Sequence, residues 1–142
     1  MIRKLTLPND IETIPQLSEF VDSVCEETGF DMSTTMSLNL AIEESVVNVM
    51  TYAYPEGERG TVDIEATSDD HSVTFCIKDA GIPFDPTTTA EVDTTLPAEK
   101  RSIGGLGIHL MRKIMDAIHY HHDGKHNILT LKKLLPGKHK QQ

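Results

Sequence analysis

Two cysteines, no tryptophan and no unbroken apolar run longer than three residues set the first limits on this 142-residue chain. Cys25 and Cys76 stand 51 positions apart with no second thiol near either, which fits reduced core residues better than a disulfide or a zinc site. A helix that spans a bilayer needs about 20 apolar residues in succession, and nothing here approaches that. The opening Met1–Leu7 also lacks the apolar block and cleavage site of a secretion signal, so the expectation is a cytoplasmic protein without a membrane partner. Cations are missing locally: no Lys or Arg occurs between Leu5 and Glu58, a stretch that carries eleven acids. After Ala98 the balance reverses, with nine Lys/Arg against Glu99, Asp116 and Asp123. The net charge of −9 argues against a direct nucleic-acid partner, because affinity for DNA or RNA rests mainly on phosphate neutralisation. The asymmetry itself fits either two partners of opposite charge or two solvated faces of opposite sign.

What remains is an ordinary globular composition, 38% apolar and 25% charged. The length suits a single domain, expected over residues 1–135 with a flexible tail at 136–142, and no internal repeat is present. Ile2 to Leu7 reads as a strand ended by Pro8. Asn9 or Asp10 caps a helix to about Thr28 with Ile14, Leu17, Val21 and Val24 or Cys25 on one face, and Gly29 stops it. Asp31 or Ser33 caps a second helix to about Ala53. Strict alternation over Thr61–Thr67 and Ser72–Lys78 predicts a hairpin turned by residues 68–71. A loop rich in Pro, Thr and Gly over residues 80–104 precedes a third helix from about Leu106 to Met115, then strands at Ala117–His122 and Asn127–Leu135. This order predicts an α+β, two-layer sandwich: a mostly antiparallel sheet of about five strands with three helices on one face. A loop of that length in a compact domain reads as a lid or binding loop, here residues 85–104.

Three clusters carry chemistry. At 100° per residue the second helix places Leu38, Ile42, Val46, Val49, Met50 and Ala53 in one stripe, while Ser37, Ala41, Glu44, Asn48 and Thr51 form a small, polar side. Glu44 and Asn48, one turn apart, point the same way and offer hard oxygens suited to Mg²⁺ or to orienting a hydroxyl; a solvated helix face would also place them so. Asp79 ends a strand, where its carboxylate can accept from an exocyclic amino group, and Gly81 frees the backbone turn after it; a simple Asp-x-Gly turn would look alike. Gly104-Gly105-Leu106-Gly107 leads into the third helix, where bare amides form an anion site, and Lys100 and Arg101 add positive charge. A flexible hinge is the alternative there. Met32, Met36, Met50, Met111 and Met115 have helical spacing and are expected in the core. His119 and His121 share a strand face, which reads as exposed histidines rather than a metal site.

In this order the clusters resemble the ATP-binding domain shared by gyrase, heat-shock chaperones, histidine kinases and MutL, the Bergerat fold. Within it the chain is most similar to the anti-sigma factor serine/threonine kinases. Glu44-Ser-Val-Val-Asn48 matches the E-x-x-x-N box, Asp79-x-Gly81-x-x-Phe84-Asp85-Pro86 the D-x-G-x-x-F-D-P segment, and Gly105-Leu-Gly107 the second glycine box. The resemblance spans nearly the whole chain. It implies ATP and Mg²⁺ as cofactors, with Asn48 as the metal ligand and Glu44 as general base for an attacking hydroxyl. Asp79 would bind the adenine amino group and Gly81 would let the backbone approach the ring. Gly104, Gly105 and Gly107 would hold phosphates, and Lys100, Arg101 and Ser102 would close over them from the lid. The implied substrate is a Ser or Thr on an anti-anti-sigma (STAS) protein, the second partner a sigma factor, and the assembly a homodimer. Three positions depart from the family pattern: Pro83 replaces a second glycine, Tyr52 stands where many such kinases have His, and Asn127 stands about where a Thr lies near adenine. A non-catalytic module that holds ATP and sequesters a regulator, or a slow ATPase, would share the same motifs.

Overall fold

The computed structural model describes residues 1–55, 57–88 and 103–136. Five strands, β1 (Ile2–Pro8), β2 (Thr61–Ser68), β3 (Ser72–Asp79), β4 (Ala117–His122) and β5 (Asn127–Leu134), form one sheet in the order β1-β2-β3-β5-β4. Every neighbouring pair is antiparallel. Helices α1 (Ile14–Thr28), α2 (Met32–Asn48) and α3 (Ile103–Ile114) complete the second layer, so the expected α+β architecture is the one observed. Period-2 alternation explains the layering: Val62, Ile64 and Ala66 on β2, and Val73, Phe75 and Ile77 on β3, are all buried against the helices. The intervening Asp63, Glu65, Thr74, Cys76 and Lys78 are exposed or half-exposed on the other face.

Local chemistry sets the element boundaries. Asp10 accepts from the Glu12 amide at 2.9 Å and starts a 3₁₀ turn, Ile11–Thr13, that feeds α1. Gly29 closes α1 in the left-handed region at φ 84°, and its amide returns to the Cys25 carbonyl, a geometry in which a side chain is strained. Asp31 caps α2 through the Thr34 amide at 2.7 Å. α2 then loosens into a π-helical turn, Val49–Ala53. α3 begins at Ile103, three residues before the expected start, so Gly104, Gly105 and Gly107 lie inside its first turns instead of leading into it. Its other end is closed by Lys133, whose Nζ donates to the Ile114 carbonyl at 2.8 Å, a favourable place for a cation.

The methionine expectation needs correction. Met50, Met111 and Met115 are in the core, but Met32 and Met36 are 79% and 67% exposed. Helical spacing is the same on either side of a helix, and only the packing partners distinguish core from surface. The sheet lies beneath α2, α1 and α3 flank it, and Met32 and Met36 fall on the side that faces outward.

The end of α2 is bolted to the loop after β3. The Ala53 carbonyl accepts from the Ile82 amide at 2.7 Å, and the Tyr54 hydroxyl donates to the Thr61 carbonyl at 2.7 Å while accepting from the Ala80 amide at 3.1 Å. Gly81 sits against this seam: a Cβ there would stand 2.3 Å from the Ala53 carbonyl oxygen and 2.8 Å from the Ala53 Cβ. The clash is with backbone, which cannot swing aside as a side chain would. Gly81→Ala should therefore lower the unfolding free energy by about 1–3 kcal/mol, as overpacking does. Urea titration reads this directly, and an unchanged midpoint would show that the seam yields freely.

Candidate functional site

The small-residue side of α2 is only partly interior: Ser37 and Glu44 are half-buried and Thr51 is exposed. Ala41, Ser45 and Asn48 are buried, and the Ser45 hydroxyl donates to the Ala41 carbonyl at 2.8 Å beside Met111 of α3. Glu44 is half-buried and has no hydrogen-bond or ion-pair partner among the described residues. Asn48, one turn further on, is 2% exposed, and its Nδ2 is buried without a partner. An orphaned amide in a folded core carries a desolvation cost of roughly 1–3 kcal/mol, so this side chain is held ready for something the protein alone does not supply. Rotating the amide exchanges nitrogen for oxygen without changing its shape, which makes Asn48 a fit for a hard cation.

Across the pocket, β3 delivers Asp79. Its backbone pairs with Asn127, the first residue of β5. Asp79 Oδ1 accepts from the Gly81 amide at 2.9 Å and from Asn127 Nδ2 at 2.9 Å. Both bonds fall on Oδ1, which leaves Oδ2 as an acceptor without a protein donor among the described residues. Asn127 is saturated: its Nδ2 also donates to the Ile82 carbonyl at 2.8 Å, and its Oδ1 accepts from the Phe84 amide at 2.9 Å and from the Tyr120 hydroxyl. One side chain thus orients the carboxylate and pins the loop from Ile82 to Phe84. Burial pushes the Asp79 carboxyl above the usual carboxylate range, opposed by the Asn127 and Gly81 hydrogen bonds and by His122 and His126.

Asn48 and Asp79 line one pocket together with Ser45, Val49, Ile77, Phe84, Pro86, Met111, Tyr120, Asn127 and Leu129; it is nearly closed, with a free volume of about 10 Å³. The walls are apolar and the polar groups few, as in a site for a flat, partly polar ligand. At its rim Tyr52 and Phe84 stack with ring centroids 5.9 Å apart. Burial and the nearby Glu44 carboxylate push the Tyr52 phenol upward. Of the expected site residues, Asn48 and Asp79 line this pocket, Gly81 adjoins it through its amide's bond to Asp79, and Glu44 stands one turn before Asn48 outside the lining. Gly104, Gly105 and Gly107 lie in the first turns of α3, where the amides of residues 103–105 have no intrahelical acceptor. Lys100, Arg101 and Ser102 lie outside the described residues. The first part of the expected lid is anchored: Pro86–Thr88 forms a 3₁₀ turn, Asp85 accepts from the Thr87 amide and hydroxyl at 2.8 and 2.6 Å, and Arg112 of α3 donates to the Thr87 carbonyl at 2.9 Å. Sequence reasoning did not assign Ser45 or Tyr120 to the site, and it noted Asn127 only as a departure. Their signal was the alternation of the last hairpin, which puts Tyr120 on the same sheet face as Leu129.

With this geometry in hand, comparison with known proteins is informative. A family model described as "Histidine kinase-like ATPase domain" matches residues 7–133. The chain is similar to proteins named serine-protein kinase RsbW. That of Halalkalibacterium halodurans is 27% identical over 128 residues, covering 82% of this chain and 78% of the relative. Those of Listeria monocytogenes and Bacillus cereus are 25% identical over 123 and 133 residues, covering 84% and 91% of this chain and 78% and 82% of the relatives. Among solved structures, the RsbU and RsbW domains of a Mycobacterium tuberculosis protein align at a TM-score of 0.68 and 17% identity, covering 96% of this chain but only 33% of that one. The histidine kinase AdeS of Acinetobacter baumannii aligns at 0.54 and 13% identity, covering 95% and 70%. These structures establish the shared fold.

The raised Asp79 carboxyl has a consequence for stability. The folded chain holds that proton more tightly than the unfolded chain does, so folding loses stability as pH rises from the ordinary carboxylate range through the raised value. Above the raised value the whole penalty is present. Asp79→Asn keeps an acceptor for Gly81 and Asn127 but has no charge to desolvate, and should melt higher than the parent near pH 7. The gap should narrow as pH falls toward the ordinary Asp value of about 4. Calorimetric melts across that range test it; a lower melting temperature for the variant at neutral pH would refute it.

Proposed function

Because the chain belongs to the histidine kinase-like ATPase domain family, we propose that it is an ATP-dependent serine/threonine protein kinase. In this reading it is an anti-sigma factor that phosphorylates an anti-anti-sigma (STAS) protein and alternates between that partner and a sigma factor, working as a homodimer in the cytoplasm. The observation that carries the reading is the pair of uncommitted polar groups across one apolar pocket, the orphaned amide of Asn48 and the free Oδ2 of Asp79. An adenine ring needs an acceptor for its amino group between apolar walls, and a triphosphate needs a hard ligand for its metal one end away. The likeness to serine-protein kinases supports the choice of acceptor.

Each residue then has a task. Asp79 Oδ2 accepts from the adenine amino group, held in aim by Asn127 and the Gly81 amide. Gly81 keeps the loop close to Ala53 and admits the ring edge. Ile77, Leu129 and Met111 exclude water from the ring faces. Asn48 turns its oxygen toward Mg²⁺, whose part is to neutralise phosphate charge during transfer. The amides at the start of α3, around Gly104, Gly105 and Gly107, receive phosphate oxygens, with Lys100, Arg101 and Ser102 closing from the lid. Glu44, one turn from Asn48 and free of protein partners among the described residues, takes the proton from the acceptor hydroxyl as its oxygen attacks the γ-phosphorus of ATP, the bond to the β,γ-bridging oxygen breaks and ADP leaves. Phosphoryl transfer asks for positioning and charge neutralisation above all, and this constellation supplies both.

The test incubates the purified chain, recombinant STAS proteins and labelled ATP. Wild type should pass label to a Ser or Thr of one STAS protein. Glu44→Gln should abolish that transfer, with Mg·ATP affinity by calorimetry nearly unchanged. Asp79→Asn should weaken ATP binding by about 10- to 100-fold, the worth of a hydrogen bond to a charged group. Nucleotide binding without any labelled protein would replace the kinase with a binding module, and phosphate release alone would make it a slow ATPase.

A further inference from the structure

The outward side of α2, between α1 and α3, carries an apolar stripe. Met32, Met36 and Leu40, spaced four apart, are 79%, 67% and 52% exposed, and the half-exposed Val47 continues the stripe toward the site. Three large apolar side chains in one row are more than the scattered exposure expected of any surface. Their borders are acidic. On the α1 side, Asp22 accepts from Asn39 at 2.7 Å and Glu43 accepts from the Ser18 hydroxyl, which brings both carboxylates to the α1–α2 seam. Asp31 caps the N-terminal end. Glu44 stands one turn beyond Leu40 on the other border. Among the described residues no Lys or Arg pairs with these carboxylates, and residues 6–57 contain neither residue type.

Resting on the kinase reading above, we propose that this stripe is where the phosphoacceptor protein docks, presenting an apolar ridge flanked by Lys or Arg side chains. Two observations favour that occupant. The row Met36–Leu40–Glu44 runs at i, i+4, i+8, so a protein seated on the first two residues lies within one helical turn, about 5.4 Å, of the group that must take its hydroxyl proton. The charge pattern also disfavours a second copy of this chain: a two-fold pairing through the stripe would set acidic borders against acidic borders. Methionine suits such a surface, because its unbranched thioether adapts to the shape of a partner.

The pair Met36→Lys and Leu40→Lys, made together, tests the inference. Both positions are exposed and Lys is a good helix former, so the fold and the melting temperature should hardly change. With the STAS protein that accepts label from wild type, the double variant should raise the KM for that protein by about tenfold or more, as loss of central apolar anchors does. The Kd for Mg·ATP and the kcat at saturating acceptor should stay within about twofold. Wild-type KM should rise with salt as the charge attraction is screened, and the variant's should rise less. An unchanged KM in an active enzyme sinks the docking surface and leaves the kinase standing. A wild-type dimer that the substitutions dissociate in sedimentation would assign the stripe to self-association instead. If wild type labels no acceptor, both readings fall together.

Discussion

The antiparallel pairing of β3 with β5 is the constraint on which the site depends. It sets Asp79 opposite Asn127 across 48 positions of chain, and Asn127 then spends its whole hydrogen-bonding capacity on that neighbourhood. Its amide fixes one carboxylate oxygen of Asp79 and the Ile82 carbonyl, while its oxygen gathers the Phe84 amide and the Tyr120 hydroxyl. A buried network with every member satisfied is rigid. Its rigidity is what leaves the other oxygen of Asp79 aimed and unspent.

Against that fixed wall the protein sets groups that are costly in the absence of a ligand. Asp79 is buried enough to raise its carboxyl, and Asn48 is buried with its nitrogen bare. Binding sites are where such unfavourable groups are tolerated, because their cost is recovered on ligation. The π-helical turn that follows Asn48 fits the same pattern, since departures from regular helix gather at functional sites. It carries the chain from Asn48 to Ala53, whose carbonyl meets the Ile82 amide, so the two walls of the pocket share one covalent and hydrogen-bonded frame.

α2 serves three environments at once, which accounts for its mixed composition. Leu38, Ile42 and Val46 are buried on its inner face, Ala41 and Ser45 are small enough to let α3 approach, and Met32, Met36 and Leu40 face outward. Some carboxylates of the acidic stretch from Asp10 to Glu58 border that stripe, whereas the cations of the C-terminal part include Lys133 and Arg112, which tie β5 to the end of the third helix and α3 to the Pro86–Thr88 turn.

Elements were legible in the sequence because their causes are local. Alternation over Ser72–Lys78, the Asp31 cap and the Gly29 stop each act within a few residues, and the observed boundaries agree with them to within about one residue. Glu44, Asn48, Asp79 and Gly81 were legible as a motif for a similar reason, since one turn of helix and one strand end place them without help from elsewhere. Periodicity left the role of Met32 and Met36 open, because it reports that a face exists and not what covers it. It was silent on Asn127 as the residue that aims Asp79, and on Tyr120 as a pocket wall, because both depend on which strand pairs with which. Strand order is decided by the burial of whole faces at once, a property of the assembled sheet and helices that no short window of residues contains.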